Sequence, residues 1–194
     1  MKHPTEKRPE QIMRFFTPEL YLQFNSSVDA TADRANDAWE KSLQEYQQHL
    51  DVIRPTMPSQ IKKISELCLH DAELLGFEQE TQSFFPFPET LWPGPLCSSV
   101  AVVSLEHEGK LHSLIYMLWD RVGEYPAQGD WPFSTLRKHW LYDEVDVSPD
   151  HRGMFLHRIL FSDGSVVEIP FMSVITSSVN LPAANEGRIA KRIA

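Results

Sequence analysis

The dipeptide His70-Asp71 places an imidazole next to a carboxylate, two side chains that coordinate transition metals. His49 upstream and Asp143 downstream are of the right types to complete such a site. The dipeptide also follows a helical pattern, and both side chains can bond to backbone groups that a helix end leaves unpaired. We favour this structural role and predict that His70 and Asp71 stabilise a junction between helix and strand.

The metal interpretation has a precedent in the phosphohydrolases that are named for the His-Asp dipeptide. In those enzymes the dipeptide supplies two of the metal ligands, and the site is assembled on an all-helical bundle. Here His70-Asp71 lies where helical patterns give way to strand patterns. The context therefore argues against a metal site of that kind.

The run from Tyr142 to Asp146 is the second candidate for chemistry, because it holds a tyrosine and three carboxylates. Alternation along a strand divides the run into two faces, one with Asp143 and Val145 and the other with Tyr142, Glu144 and Asp146. Glu144 and Asp146 then form a candidate carboxylate pair for acid/base chemistry or for a hard cation. A solvated strand face gives the same pattern, so both interpretations stay open.

The sequence holds no other signature of catalysis. It contains no glycine-rich phosphate loop, no Gly-x-Ser-x-Gly elbow and no cysteine in an activating setting. We therefore predict no cofactor. Whether the chain is an enzyme stays open at this stage.

Composition and charge restrict the classes of partner. The 194 residues are 42% hydrophobic, which is typical of one globular domain, and no apolar run approaches the ~20 residues of a membrane-spanning helix. Eighteen Lys and Arg against 27 Asp and Glu give a net charge of −9, which disfavours binding to nucleic acid. Residues 1–12 carry +1 and residues 176–194 carry +2, so −12 remains on residues 13–175. An acidic domain of this kind suits a basic protein partner.

The two ends of the chain are polar and poor in large apolar groups. We predict a disordered tail at residues 1–12, a single domain at residues 13–175 and a flexible tail at residues 176–194. The fold pattern begins at Met13, which is an alternative start. Two cysteines, Cys68 and Cys97, and an N-terminus without an apolar signal region favour a reducing, cytoplasmic location.

Three helices are predicted in the first half of the domain. Thr17-Pro18 starts a short helix that runs to about Phe24. The second helix has an apolar stripe at steps of three and four and ends near Arg54, before Pro55; the stripe consists of Ala32, Ala35, Trp39, Leu43, Tyr46, Leu50 and Ile53. The third helix starts around Met57 to Ser59, buries Ile61, Ile64, Leu67 and Cys68, and ends close to Leu69-His70.

Strand patterns follow in the second half. A hairpin is predicted from residues 99–106 and 111–122, and a meander follows from strands at residues 140–147, 154–161 and 166–171. Asp163-Gly164 is typical of the tight turn between the last two strands. Helices at the front and strands at the back predict an α+β domain with an antiparallel sheet.

Two aromatic stretches have either of two interpretations. Residues 84–95 combine four prolines with five large apolar side chains, and residues 121–139 contain Tyr125, Trp131 and Phe133. Each stretch is a candidate binding loop, or a connector whose aromatic side chains pack onto the domain. We favour the connector, because large exposed apolar patches are uncommon on monomers.

The order of several short motifs resembles an uncharacterised bacterial group, domain-of-unknown-function family 4085. The motifs are residues 14–21, the helix with Trp39-Glu40 and Tyr46, residues 67–72, and residues 140–144, and the resemblance covers residues 13 to about 171. It implies no activity. It implies that His70, Asp71, Tyr142, Asp143 and Glu144 belong to recurring motifs of the family, which build either a site or a buried polar network.

Two functional hypotheses follow. The first is a non-catalytic cytoplasmic binding module, of the immunity or partner-recognition kind, whose acidic surface meets a basic protein. The second is a metal-dependent hydrolase that uses His70, Asp71 and the carboxylates near Glu144. The partner's identity and the oligomeric state do not follow from the sequence. Convergence of the candidate side chains in one solvent-reaching pocket would favour the hydrolase.

Overall fold

Helices precede strands along the whole domain. In this computed structural model the described residues are 12–82, 98–127, 129–133 and 136–182. Within these described residues, three α-helices lead into a curled antiparallel sheet of seven strands. The predicted α+β class is confirmed. Among the described residues, no helix is both long enough and apolar enough to cross a membrane.

Local sequence signals define the helix boundaries. Helix α1 spans Pro18–Phe24, and the Thr17 hydroxyl caps it by accepting a 3.1 Å hydrogen bond from the Leu20 amide. Helix α2 spans Asp29–Ile53 and passes into a 3-10 turn at Arg54–Thr56, so the predicted end at Pro55 is confirmed.

The third helix is shorter than predicted. Helix α3 spans Ser59–Ile64, and Ile61 and Ile64 are buried as expected. The helix ends at Ile64 rather than near Leu69-His70. At this end the Ser65 hydroxyl donates a hydrogen bond to the Lys62 carbonyl. Cys68 therefore lies beyond the helix and is exposed, contrary to the prediction.

One residue of the apolar stripe on α2 is exposed to solvent. Ala35, Trp39, Leu50 and Ile53 are buried, but the side chain of Leu43 is 47% exposed. Helical geometry places Leu43 about 40° from Trp39, on the side of the stripe opposite Ala35 and Ile53. The predicted burial of Leu43 is wrong because it occupies the solvent-facing margin of the stripe.

The strands alternate between long pairings and tight turns. Their bounds are β1 Glu73–Gln82, β2 Ser98–His107, β3 Lys110–Leu118, β4 Gly123–Tyr125, β5 Trp140–Val147, β6 Phe155–Phe161 and β7 Val166–Asn180. The hairpin of β2 and β3 is confirmed, and its turn uses Glu108 and Gly109 at φ 51° and 71°. The meander of β5, β6 and β7 is confirmed as well. Strand β1 was not predicted.

Strand β7 joins the two parts of the sheet. The strand order is β1-β2-β3-β7-β6-β5, with β4 also paired to β7. The last part of β7 pairs with β3, where Asn180 lies opposite Lys110. The strand therefore continues five residues past the predicted domain end at residue 175. Residues 183–194 of the predicted tail, and residues 1–11 of the N-terminal one, lie outside the described residues.

The two outer strands of the sheet meet at one end. Glu73 at the start of β1 forms an isolated antiparallel bridge with His139, just before β5. The Trp140 amide donates to the Ala72 carbonyl, and the Asp71 amide donates to the Trp140 carbonyl, at 2.9 and 2.8 Å. These bonds curl the sheet and place His70-Asp71 beside β5.

The described residues form two apolar clusters. The first lies within the curl, where the end of α2 and α3 pack against residues such as Tyr116, Trp140 and Phe171. The second lies on the other face of β5 and β6, where Met13, Phe15, Phe16 and Trp39 are buried with Leu160. Helix α2 therefore crosses the edge of the sheet and contributes to both clusters.

The aromatic loop before β5 packs onto the domain. Trp131 stacks on Tyr21 with ring centroids 5.8 Å apart, and its indole N–H donates to the Ser162 carbonyl at 2.8 Å. The connector interpretation is therefore confirmed for the aromatic side chains at 131 and 133, since Phe133 also contacts Tyr21. The proline-rich stretch at residues 84–95 lies outside the described residues.

Candidate functional site

His70 and Asp71 lie between a helix and a strand, as predicted, although α3 ends earlier than predicted and the strand is β1, which was not predicted. The imidazole Nδ1 of His70 is 2.6 Å from the Leu141 carbonyl oxygen on β5, and Nε2 is 3.4 Å from an Asp71 carboxylate oxygen. Asp71 itself has φ 66°, in the left-handed region that few non-glycine residues adopt. Both residues thus fasten the helix-to-strand turn against β5.

The Tyr142 ring lies beside this turn and contacts the His70 ring. Its ring centroid lies 4.9 Å from that of His70 and 4.3 Å from that of Trp39. Burial raises the pKa of the Tyr142 hydroxyl, and the nearby Tyr21 and Asp71 raise it further. Burial and then Asp71 likewise raise the pKa of Tyr21. Both phenols are therefore poor general bases near neutral pH.

The Glu144 carboxylate binds the backbone of the N-terminal segment. Its side chain is buried, and its two carboxylate oxygens accept the backbone N–H groups of Arg14, Phe15 and Phe16 at 2.9, 2.5 and 2.8 Å. Arg158 lies directly opposite Glu144 on β6. The carboxylate therefore holds residues 14–16 over the second apolar cluster.

Asp143 belongs to a different network on the inner face of the sheet. Its two oxygens bond to the indole N–H of Trp140 at 3.0 Å and to Nε2 of His157 at 3.0 Å. Nδ1 of His157 lies 2.9 Å from the hydroxyl of Tyr116, and both of these residues are fully buried. Burial, followed by the charge of Asp143, raises the pKa of Tyr116.

This inner network was missed by the sequence analysis. Tyr116, on β3, stands far from Asp143 in the chain, and His157 is one of several histidines near the acidic run. The only available signal was the alternation of β6, which turns His157 inward between Phe155 and Ile159. The network satisfies buried polar groups and links β3, β5 and β6.

The predicted carboxylate pair is not brought together for catalysis. Asp146 shares the outer face of β5 with Glu144, as alternation predicted, but it has its own partners. Its carboxylate lies 2.8 Å from His49 and 3.7 Å from Arg158, whose guanidinium also bonds Glu168 at 2.7 Å. Each carboxylate therefore has its own cationic or amide partners.

The five candidate residues thus divide into three locations. His70, Asp71 and Tyr142 share a surface, Glu144 is buried beneath residues 14–16, and Asp143 faces the interior. Within the ranges that the structure describes, no group of three or more His, Cys, Asp or Glu side chains is arranged to hold a metal ion. Dispersal is the arrangement that favours structural roles for these residues.

The exposed side of α2 carries a feature of another kind, which we call the acidic helical face. It consists of Asp29, Asp33, Asp37 and Glu40, all of which are exposed. The three aspartates repeat at steps of four, so they lie on one side of the helix. Leu43, exposed by 47%, stands one turn beyond Glu40. Acidic side chains therefore border an exposed apolar one.

Comparison with known proteins adds no assignment. No model of a known protein family matches this chain, and no curated protein matches it either. The resemblance to family 4085 stays a prediction.

Proposed function

We propose that this protein is a non-catalytic cytoplasmic binding module that docks a basic protein partner through its acidic helical face. The observation that carries the proposal is the exposed row of Asp29, Asp33 and Asp37 on α2. Like charges at steps of four cost an isolated helix about 0.2–0.5 kcal/mol per pair. Asp29 lies in the first turn, where the helix dipole favours an acidic side chain, so the unfavourable pair is Asp33 with Asp37. Recognition of a basic surface gives this pair a role.

The surroundings of the row fit a protein interface. Interfaces commonly combine apolar contacts with a charged, solvated rim. Leu43 lies beside Glu40, and Val28 and Phe24 near the start of α2 are 58% and 39% exposed. These apolar side chains supply contact area, while the carboxylates steer a cationic partner to it.

The hydrolase hypothesis has less support from the geometry. It needs His70, Asp71 and the carboxylates near Glu144 in one pocket. Glu144 instead accepts three backbone N–H groups, and Asp143 points to the opposite face of β5. We therefore favour binding over catalysis.

Site-specific photo-cross-linking tests the proposal. A photoreactive phenylalanine analogue replaces Leu43 in one variant and Leu136, which is fully exposed elsewhere, in a control. We expect one discrete adduct from position 43 and none from position 136. The captured protein should have an excess of Lys and Arg and should bind the purified wild-type chain more weakly as salt rises.

Charge reversal then tests the acidic helical face directly. Asp33→Lys/Asp37→Lys should weaken binding to the purified captured protein by at least about tenfold. The matched control Glu108→Lys/Asp150→Lys makes the same change in net charge at exposed positions elsewhere and should bind normally. An acidic captured protein, or equal loss in both double variants, would contradict the proposal.

A further inference from the structure

The contact of His70 with β5 fixes which of its ring nitrogens carries the proton. Nδ1 lies 2.6 Å from the Leu141 carbonyl oxygen. A carbonyl oxygen only accepts hydrogen bonds, so Nδ1 carries a proton and donates it. In the neutral imidazole, Nε2 then has a lone pair and is an acceptor. The structure therefore holds an acceptor nitrogen at a fixed position beside Asp71.

This acceptor lies next to a second one. Nε2 of His70 is 3.4 Å from a carboxylate oxygen of Asp71, which also only accepts. Two acceptors this close repel each other unless a donor bonds to both. None of the Lys and Arg residues in the described ranges forms an ion pair with Asp71, whose side chain is 74% exposed. The pair is therefore suited to a cationic donor that the described residues do not supply.

The backbone of Asp71 is held in place although its carboxylate is exposed. Its N–H donates to the Trp140 carbonyl at 2.8 Å, and its own carbonyl oxygen lies 3.4 Å from Nδ1 of His139. The backbone has φ 66° between these contacts. A carboxylate on a fixed backbone loses less conformational entropy on binding than one on a mobile loop.

Two tyrosine rings border the pair and favour one kind of cation. The ring centroid of Tyr142 lies 4.9 Å from that of His70 and 6.2 Å from that of Tyr21. Burial raises the pKa of both hydroxyls and the charge of Asp71 raises both further, in agreement with a carboxylate close to both rings. Aromatic faces attract cations within about 6 Å. A guanidinium donates in its plane while it stacks on a ring, which an ammonium group does not do.

We infer that His70, Asp71 and the rings of Tyr21 and Tyr142 bind the guanidinium of an arginine side chain, and we call these four residues the arginine site. Its N–H groups donate to Nε2 of His70 and to the carboxylate of Asp71, and its plane lies against the tyrosine rings. Trp39 on α2 contacts Tyr142 at 4.3 Å, so the site adjoins the helix that carries the acidic helical face. That the arginine belongs to a basic protein rests on the proposed function, whereas the guanidinium chemistry does not.

An NMR titration of the purified full chain tests the arginine site. The probe is acetyl-Gly-Arg-Gly amide, and the ring C–H resonances of His70 and Tyr142 are followed at pH 8, where an imidazole ordinarily carries one proton. We expect saturable shifts with a dissociation constant of about 1–10 mM. The lysine peptide should bind at least about threefold more weakly. The citrulline peptide, which has the same length without the charge, should give no saturable shift.

A substitution that keeps the shape of the turn tests the role of the carboxylate. Asp71→Asn removes the charge, and asparagine also tolerates a left-handed backbone, so the melting temperature should stay within about 2 °C of the wild type. The arginine peptide should bind this variant at least about fivefold more weakly. The control Asp150→Asn changes an exposed aspartate in the loop before β6 and should bind as the wild type does. Tyr142→Phe keeps the ring and should also bind normally.

Four results would overturn the inference. The wild type could show no saturable shift, or the lysine peptide could bind as tightly as the arginine peptide. Asp71→Asn and Asp150→Asn could weaken binding equally, which would indicate a general charge effect. Free L-arginine could bind more tightly than the capped peptide, which would indicate a small-molecule site. Partner capture at position 43 uses no arginine peptide, so failure of the proposed function is distinguishable from failure of the arginine site.

Discussion

The hydroxyl oxygen of Tyr46 accepts a 2.7 Å hydrogen bond from the backbone N–H of Val145. Val145 belongs to β5, which forms one end of the strand order, and its amide points away from the sheet. A side chain of α2 thus satisfies a donor on the sheet edge, where unpaired groups invite unwanted strand pairing. The contact also marks where α2 crosses from one face of the sheet to the other.

Tyr46 gives a prediction for alkaline pH. Burial, with added effects of Asp143, Glu144 and Asp146, raises the pKa of Tyr46 far above its ordinary value of 10.0. The unfolded chain loses this proton above pH 10 and the folded chain keeps it, so stability is full below pH 10 and falls as pH rises further. Each such tyrosine costs about 1.4 kcal/mol per pH unit.

Urea denaturation between pH 8 and about pH 11.5 measures this dependence. Tyr46→Phe should lower stability by about 1–3 kcal/mol at pH 8, because the Val145 amide loses its partner. Above pH 10, the free energy of unfolding of Tyr46→Phe should fall less steeply with pH than that of the wild type. Identical alkaline slopes would contradict the assignment.

Glu144→Gln should lower the free energy of unfolding by about 1–3 kcal/mol. The amide group of glutamine replaces one carboxylate oxygen with a donor, which faces an N–H group of residues 14–16. Chemical denaturation measures the change. Glu124→Gln, at an exposed position, serves as the control and should stay within about 0.5 kcal/mol.

Trp39 and Leu43 should differ strongly on truncation to alanine. The sequence stripe gives both residues the same role, but Trp39 is 8% exposed and Leu43 is 47% exposed. We expect Trp39→Ala to cost about 3–5 kcal/mol and Leu43→Ala less than about 1 kcal/mol. Equal losses in denaturant melts would restore the original interpretation of the stripe.

Two substitutions at Asp71 separate a structural role from metal binding. Because its φ is 66°, Asp71→Ala should lose about 1–2 kcal/mol of stability, whereas Asp71→Gly should lose less. Loss of a metal ligand would affect both variants alike. Elemental analysis of untagged protein should find no stoichiometric transition metal; one equivalent that vanishes in both variants and in His70→Ala would revive the hydrolase.

The N-terminal boundary can be tested by truncation. A chain that begins at Met13 should melt within about 2 °C of the full chain because, of the described side chains in the second cluster, it loses only the partly buried Ile12. A chain that begins at Thr17 loses Met13, Phe15 and Phe16 and the three amides bound to Glu144. It should melt lower by more than the roughly 2–4 °C that corresponds to 1 kcal/mol in a domain of this size.

Local signals predicted much of this fold. The cap at Thr17, the stop at Pro55 and the turn around Gly109 each depend on a few neighbouring residues, and each was found. Strand β1 was missed because all five residues in the second half of Glu73–Gln82 are polar and the strand lies at the sheet edge. The sequence of the last residues of β7 is typical of a polar tail, and these residues form a strand because they pair with β3.

The candidate site was predictable only in part. Alternation correctly separated Asp143 from Tyr142 and Glu144, because strand geometry is local. The partners of these residues come from elsewhere in the chain: Glu144 bonds to the Phe15 amide and His157 bonds to Tyr116. A single sequence contains no signal for such distant contacts, so it could not decide between a site and a structural network.

Strand β7 also governs the order in which the sheet can assemble. The hairpin of β2 and β3 and the hairpin of β5 and β6 each need only nearby residues, and both are synthesised before β7. Among the described strands, β7 alone pairs with members of both groups. Until β7 pairs with them, β3 and β6 each have one unpaired edge. A sheet that forms slowly through non-local pairing is most prone to aggregation while such edges are unpaired.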